Sequence, residues 1–388
     1  MDKKKLLVIG IIIYLASTAV AFGVSRIFAP KIDGDLVSPQ SLITDSEGNV
    51  QIDPGEPKTE SCPLNGMLFT KTERSIWEGR RPLAVMIENH TDARPQSGLG
   101  SADIVYEAVV EGGITRFMGV YYCGVAANNI NFSPVRSART YFLDWVSEYD
   151  ALYAHVGGAG KCNDPTVDEK AKALCQIDRY GIKDMDQFGI SYPTCFRNPD
   201  RLSKTVATEH TMVCSSNGLY FVAESRDWTN VDEDDVSWDE DFRSWEFSDG
   251  DKAQDTPDAT KISFGFWDGY KDFNVIWDYD KADNSYKRTM GGEAHTDFET
   301  KKQITAKNVV VQLTKETGPV DEHKHLLYET IGTGDAFIFK NGEAIEGTWS
   351  KNKRTARTLF YDENGKEIQF VPGQIWIEVV PKGKKVDF

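Results

Sequence analysis

An α+β fold is predicted: an N-terminal α/β domain followed by a mostly antiparallel β domain, with an N-terminal membrane helix ahead of both. Three observations predict it. Lysines and a long apolar run open the chain. Strand-like and helix-like patterns then alternate from Arg81 to about residue 226, and beyond residue 260 only short alternating segments remain, separated by Asn-Gly and Pro-Gly pairs. At 388 residues and 40% hydrophobic, the chain can bury more than one core.

Residues 1–29 read as a transmembrane anchor or a signal peptide. From Leu6 to about Phe28 the apolar run is broken only by small residues and Arg26, which suits the ~20 residues of a bilayer-spanning helix. Lys3, Lys4 and Lys5 precede it and hold the N-terminus in the cytoplasm, giving a single-pass membrane protein with its bulk extracytoplasmic. Cleavage at the small residues Ala19 to Ala21 would instead release a secreted protein. No cysteine lies there for lipid attachment. Residues 30–65, rich in Pro, Gly, Asp and Ser without a period, read as a flexible spacer.

Residues 66–226 carry the α/β pattern. Residues 82–89, 102–110 and 116–125 have the β-branched and aromatic content of strands, with a turn at Gly112-Gly113. Tyr141, Trp145 and Tyr149 then recur every four residues, the stripe of an amphipathic helix, entered after Pro134 with Ser137 as candidate N-cap. Residues 151–156 read as a short buried strand. Residues 164–176 read as a second helix, with Asp164 capping and Pro165 in the first position.

Residues 227–260 form an acidic linker or loop. Between positions 227 and 261 lie thirteen acids against three basic residues, so this stretch supplies −10 of the net −16. Such a run is ordinarily solvated, and with the charge elsewhere nearly balanced no nucleic-acid partner is expected. It lacks the alternation of an EF-hand loop. Residues 261–388 then form the β-rich domain, where Asn341-Gly342 and Asn364-Gly365 suit hairpin turns that need positive φ at both central positions.

Export turns the six cysteines, all between positions 62 and 214, into expected disulfides. Fifteen pairings are open to six cysteines. The simplest expectation is sequential pairing, with Cys162 and Cys175 the nearest couple, and no pair has the spacing of a zinc site.

Candidate functional residues cluster around the stretch VVEGGITRF, residues 109–117. If 103–111 is a strand, Asp103, Glu107 and Glu111 share one face. Glu107 and Glu111 would stand about 13 Å apart at roughly 3.3 Å per residue, too far to act as a couple alone. Arg94, Arg116, Arg136 and Arg139 each fall where a loop meets a strand or helix. Planar guanidinium groups there suit a phosphate or carboxylate, unless the three acids neutralise them internally. Thr115 and Ser137 flank these arginines, and His155 ends a strand before a glycine run. No catalytic residue is assigned. Residues 155–162 fail the phosphate-loop pattern at His155 and Cys162, no GxSxG elbow occurs, and His295 with Asp297 lacks a third metal ligand.

The stretches at 81–122, 133–158, 286–312 and 332–381 together resemble the YerB-like lipoprotein family of bacteria. The resemblance implies an exported two-domain protein of the cell envelope and carries no mechanism. Ser133 stands where that family usually has glycine, and the lipoprotein cysteine is missing. More loosely, the order of SADIVYEAVV and SPVRSAR is similar to that in LytR-like cell-wall glycopolymer transferases, whose arginines hold a lipid pyrophosphate and whose acids hold magnesium. The corresponding positions are Arg136, Arg139 and Asp103.

The expected function is therefore binding of an anionic cell-envelope polymer or lipid-linked precursor through the arginine cluster, with no cofactor. One alternative is a LytR-like phosphoryl-linked glycopolymer transferase or hydrolase, in which Asp103 or Glu111 holds a divalent cation, magnesium. Another is a protein–protein interaction scaffold using an exposed strand edge.

Overall fold

Ten strands make one continuous sheet to which both halves of the chain contribute. In chain order they are β1 (Leu83–Glu88), β2 (Ile104–Val109), β3 (Thr115–Tyr121), β4 (Leu152–His155), β5 (Lys183–Asp186), β6 (Asn308–Thr314), β7 (Gly332–Lys340), β8 (Glu343–Lys351), β9 (Leu359–Asp362) and β10 (Ile375–Pro381). This computed structural model describes residues 44–248 and 257–388; the expected membrane segment at 1–29 lies outside them. Among the described residues no helix is long and apolar enough to cross a membrane.

The spatial order is β9-β8-β7-β6-β10-β2-β3-β1-β4-β5. Strands β1, β2 and β3 are buried along their whole length, as near-continuous apolar runs must be when both faces of a sheet are covered. β3 is antiparallel to both β1 and β2, whereas β4 is parallel to β1 and β5 to β4. The carboxyl ends of β1, β2 and β4 and the start of β3 therefore share one edge of the sheet.

The second half is β-rich as expected, but its pairing is not wholly antiparallel. β7 and β8 form a hairpin whose Asn341 and Gly342 have φ of 55° and 79°, the type I′ geometry that the pair predicts. β10, however, lies parallel between β6 and β2, so the two halves share hydrogen bonds. A six-stranded sheet built mainly from Lys261–Phe264, Val275–Asp280 and Ser285–Met290 meets β10 where the Trp277 and Trp376 rings approach to 5.3 Å.

All four described α-helices belong to the first half: α1 (Lys71–Trp77), α2 (Thr140–Val146), α3 (Ala173–Tyr180) and α4 (Ser216–Ser225). Thr70 and Glu73 form a capping box at α1. α2 buries the expected Tyr141 and Trp145, but its N-cap is Arg139, not Ser137. The expected helix at 164–176 is also displaced. Asp164 Oδ1 takes the backbone N–H and hydroxyl of Thr166, closing a turn, and α3 starts only at Ala173. Such local side-chain bonds compete with helix initiation.

The disulfides are Cys62–Cys123, Cys162–Cys175 and Cys195–Cys214, the sequential pairing. Two polar stretches prove less free than their composition suggests. From Thr44 the spacer is bound to the body, with Val50 donating to the Ala127 carbonyl at 2.7 Å and Asn129 to Asn49 at 2.8 Å. The acidic segment keeps the carboxylates of its described residues at the surface but buries Trp238 and Trp245; Trp238 packs edge-on to Tyr122 at 5.2 Å.

Candidate functional site

Glu88 ends β1 and pairs in register with Arg116 at the start of β3, while Glu111 begins the tight turn after β2. Gly113 in that turn has φ of +72°, and a Cβ there would stand 2.4 Å from the Tyr270 ring, so glycine answers both a backbone and a packing need. Residues 134–138 cross this edge in extended form. Arg136 N–H donates to the Met86 carbonyl at 2.9 Å, Val156 N–H to the Arg136 carbonyl at 3.1 Å, and Ala138 N–H to the Gly157 carbonyl at 3.0 Å. The segment thus lies against the ends of β1 and β4, just where open α/β sheets place ligands.

Here Arg116, Arg136, Ser137, Arg139 and Glu111 line a hollow of about 320 Å³. Two of the arginines are already paired. Arg139 Nε and Nη2 each lie 2.6 Å from a Glu111 oxygen, a bidentate fork. Burial would lower Arg139, but Glu111 raises it above its ordinary range. Conversely, burial would raise Glu111, yet Arg139 holds it below. Arg136 Nε lies 3.1 Å from Glu88, and its Nη2 lies 4.0 Å from Glu209.

Arg116 differs. It is 6% exposed, its Nη1 donates to the Ser137 carbonyl at 2.7 Å, and its Nε has no partner. Among the described residues it forms no ion pair with a carboxylate. Burial, with the Arg139 charge next, pulls it down to about 10. A buried cation left short of a counter-charge is costly, and the same feature makes it a receptor for an anion entering the hollow.

Histidines and acids not anticipated from sequence complete the lining: Glu88, His90, Glu209 and His210. His210 Nδ1 lies 2.8 Å from Glu88 Oε2, and the His90 and His210 rings stack at 4.8 Å with planes 14° apart. Ligand atoms of His90, Asp92 and His210 lie within 4.8 Å of one another. Near-parallel rings, however, send their in-plane lone pairs side by side, which is poor geometry for a shared metal. Of these residues, Glu88 alone gave a usable sequence signal, an acid at the end of an apolar strand. His90 follows Glu88 by two residues, whereas His210 arrives from a distant turn.

The other expected site residues lie elsewhere. Arg94 is spent on Asn89, donating to its side-chain oxygen at 3.1 Å and its carbonyl at 3.2 Å, with its guanidinium 5.0 Å over the Phe273 ring. Glu107 and Thr115 belong to a fully buried seam. Asn89 donates to Thr115 at 2.6 Å, and Arg288 pairs with Glu107 and, at 3.5 Å, with Glu378 of β10. Burial and the Glu107 charge push Glu378 well above the usual carboxylate range. His155 is held by the Gly157 carbonyl at 2.8 Å and Asp184 at 2.9 Å, a structural histidine.

Asp103 precedes the opposite end of β2. Asn65 and the backbone N–H groups of Tyr122 and Gly124 donate to its carboxylate at 2.7, 2.6 and 3.2 Å. It is fully buried beside the Cys62–Cys123 disulfide. Five residues of strand, roughly 16 Å, separate it from the arginine edge, so it cannot share a cation with Arg136 and Arg139. Glu111, taken by Arg139, is no freer. The magnesium arrangement expected of a transferase is not assembled.

Larger concavities exist. One of about 700 Å³ is lined by Tyr180, Arg354 and Arg357, but Arg354 donates to Ser147 at 2.6 Å, and Arg357 pairs with Glu148 and stacks 3.5 Å over Trp245. The hollow at the sheet edge is smaller, yet it is lined by a buried arginine that no carboxylate pairs among the described residues.

Residues 69–227 match the family described as "Protein of unknown function (DUF3048) N-terminal domain", and residues 262–377 match its C-terminal domain. The chain is 29% identical over 329 residues to "Putative lipoprotein YerB" of Bacillus subtilis (strain 168), across 84% of this chain and 88% of that protein. Its fold is that of the crystal structure of the YerB protein from Bacillus subtilis, with a TM-score of 0.66 at 24% identity, covering 85% of this chain and 100% of the other.

Proposed function

Since the chain belongs to the YerB-like family built from paired DUF3048 domains, we propose that it is an extracytoplasmic, envelope-associated protein that binds an anion in the arginine-floored hollow. The compartment is supported by the lipoprotein name of its relative, by three disulfides with no free cysteine among the described residues, and by the apolar run behind three lysines. The tether is the N-terminal segment, and the partner is an anionic envelope polymer or lipid-linked precursor. Binding needs no cofactor.

One observation carries the binding reading: Arg116 is buried, charged and without a carboxylate partner at the floor of an open hollow. A phosphate or carboxylate seated there would meet Arg116 directly, with Arg136 and Arg139 held at the walls by Glu88 and Glu111. Because those walls are pre-paired, they bring geometry without a large excess of charge, and discrimination between anions falls to the single guanidinium.

The test is isothermal titration of the full-length protein with inorganic pyrophosphate and with a teichoic-type polymer. Arg116→Met is expected to weaken both at least ~10-fold, the scale of one lost charge-assisted hydrogen bond. Arg136→Ala is expected to have the smaller effect. Affinity untouched by Arg116→Met would remove the proposal.

A further inference from the structure

The Glu111–Arg139 pair that walls the arginine hollow also walls a second one of about 440 Å³. Its other sides are the backbone at 158–160 and the side chains of Asp164, Thr166, His323 and His325. The two cavities therefore meet at one ion pair, and they differ in chemistry. Guanidinium groups dominate the first. The second is rich in acceptors.

His325 sets its character. The residue is 7% exposed, and its Nδ1 lies 2.7 Å from Asp321 Oδ2. That carboxylate also receives the backbone N–H groups of Asp168 at 3.0 Å and His325 at 3.2 Å. Burial would raise Asp321, but the His325 side-chain bond together with the two backbone N–H bonds holds it down at about 2, so it stays ionised and can only accept. In the neutral imidazole the proton thus sits on Nδ1, and Nε2 presents a lone pair. Among the described residues Nε2 makes no hydrogen bond, and Glu111 Oε1 stands 3.9 Å away.

Asp164 spends Oδ1 on the Thr166 turn at 2.9 and 2.7 Å, leaving Oδ2 for a ligand. Adjacent acceptors with room between them call for a donor. A second phosphate would be repelled by Asp164 and Glu111, whereas a hydroxyl can donate to His325 or Asp164 and still accept from backbone N–H groups.

We infer that the two hollows together recognise a sugar phosphate, its phosphate on Arg116 and its hydroxyl groups against His325, Asp164 and the outer face of Glu111. This rests on the anion reading of the first hollow and adds the class of group attached to the anion. The size of the second hollow, about 440 Å³, falls within the range of small-ligand sites.

The probes are α-glucose 1-phosphate, inorganic phosphate and O-phosphoethanolamine, titrated calorimetrically into the full-length protein. The sugar phosphate is expected to bind at least ~10-fold more tightly than inorganic phosphate, the gain from two to three hydroxyl hydrogen bonds. His325→Phe and, separately, Asp164→Ala should each erase most of that advantage while leaving inorganic phosphate affinity unchanged, which also certifies that the variants are folded. Equal affinity for sugar phosphate and inorganic phosphate overturns this inference and leaves the anion site standing. Tighter binding of O-phosphoethanolamine also overturns it, because an ammonium and not a hydroxyl would be the preferred donor. If none of the three binds, the anion reading falls with it.

Discussion

Replacing Arg116 by methionine separates the two consequences of a buried guanidinium that lacks a carboxylate. Methionine keeps the length of the side chain and removes the charge. Without a bound anion that charge is a burden. Burial and Arg139 pull Arg116 down to about 10, and the difference from its ordinary value of about 12.5 corresponds to about 3 kcal/mol of unfavourable environment. Losing the bond to the Ser137 carbonyl costs about 1 kcal/mol in the other direction. The ligand-free variant should thus be more stable than the parent by about 2 kcal/mol, in line with the replacement of other buried ions by apolar side chains. Urea is the right denaturant, since guanidinium chloride would supply an anion, and tryptophan fluorescence reads the transition. With pyrophosphate at about a hundred times its dissociation constant, the parent should gain about 2.7 kcal/mol and the variant nothing, so the order of stability inverts. A variant less stable than the parent both with and without ligand would mean that Arg116 is a structural brick, and the binding argument would be lost.

Asp103, pushed up to about 7 mainly by burial, keeps its proton in the folded state while the unfolded chain releases it near its ordinary value of about 4. Stability should accordingly fall by about 4 kcal/mol as pH rises from about 4 to about 7, and Asp103→Asn should flatten that slope in urea titrations at several pH values. Removing the Cys62–Cys123 bridge by double alanine substitution opens a loop with a sequence separation of 61; the urea midpoint should drop by the equivalent of about 4 kcal/mol, and reductant should then have a smaller further effect than on the parent. Glu148 accepts from Lys351 at 2.8 Å and Arg357 at 2.9 Å, all three buried, so Glu148→Leu leaves two cations face to face. A loss of about 3–5 kcal/mol is expected, with pyrophosphate affinity unchanged in whatever fraction remains folded.

The strands around the site were legible because residues 83–88, 104–109 and 115–121 are apolar, β-branched and bounded by turn residues. The gathering of Arg116, Arg136 and Arg139 was legible because each sits at an element end, and ends of parallel strands meet at one edge. Which acid neutralises which arginine was not. Glu107, on the same strand face as Glu111 by count, turns to Arg288 of the second half, while Glu88 takes Arg136; nothing in local spacing encodes pairings made across the chain. His210 and His325 were invisible for the same reason, being isolated in sequence and delivered by separate loops. Ser137 as helix cap failed because the chain stays extended to Arg139 in order to bond the neighbouring strand ends.

The position of β10 has a bearing on how the molecule comes into being. Ile104 of β2 lies opposite Ile375, and Asn308 of β6 opposite the same residue, so β10 is the bolt between two half-built leaves. Synthesis runs from the other end. Until that strand is made, both leaves carry raw edges able to pair with the wrong neighbour. A nascent chain must be kept apart from its siblings until β10 is made, and one cut short before residue 375 is not a smaller version of this protein but two unlatched pieces of it.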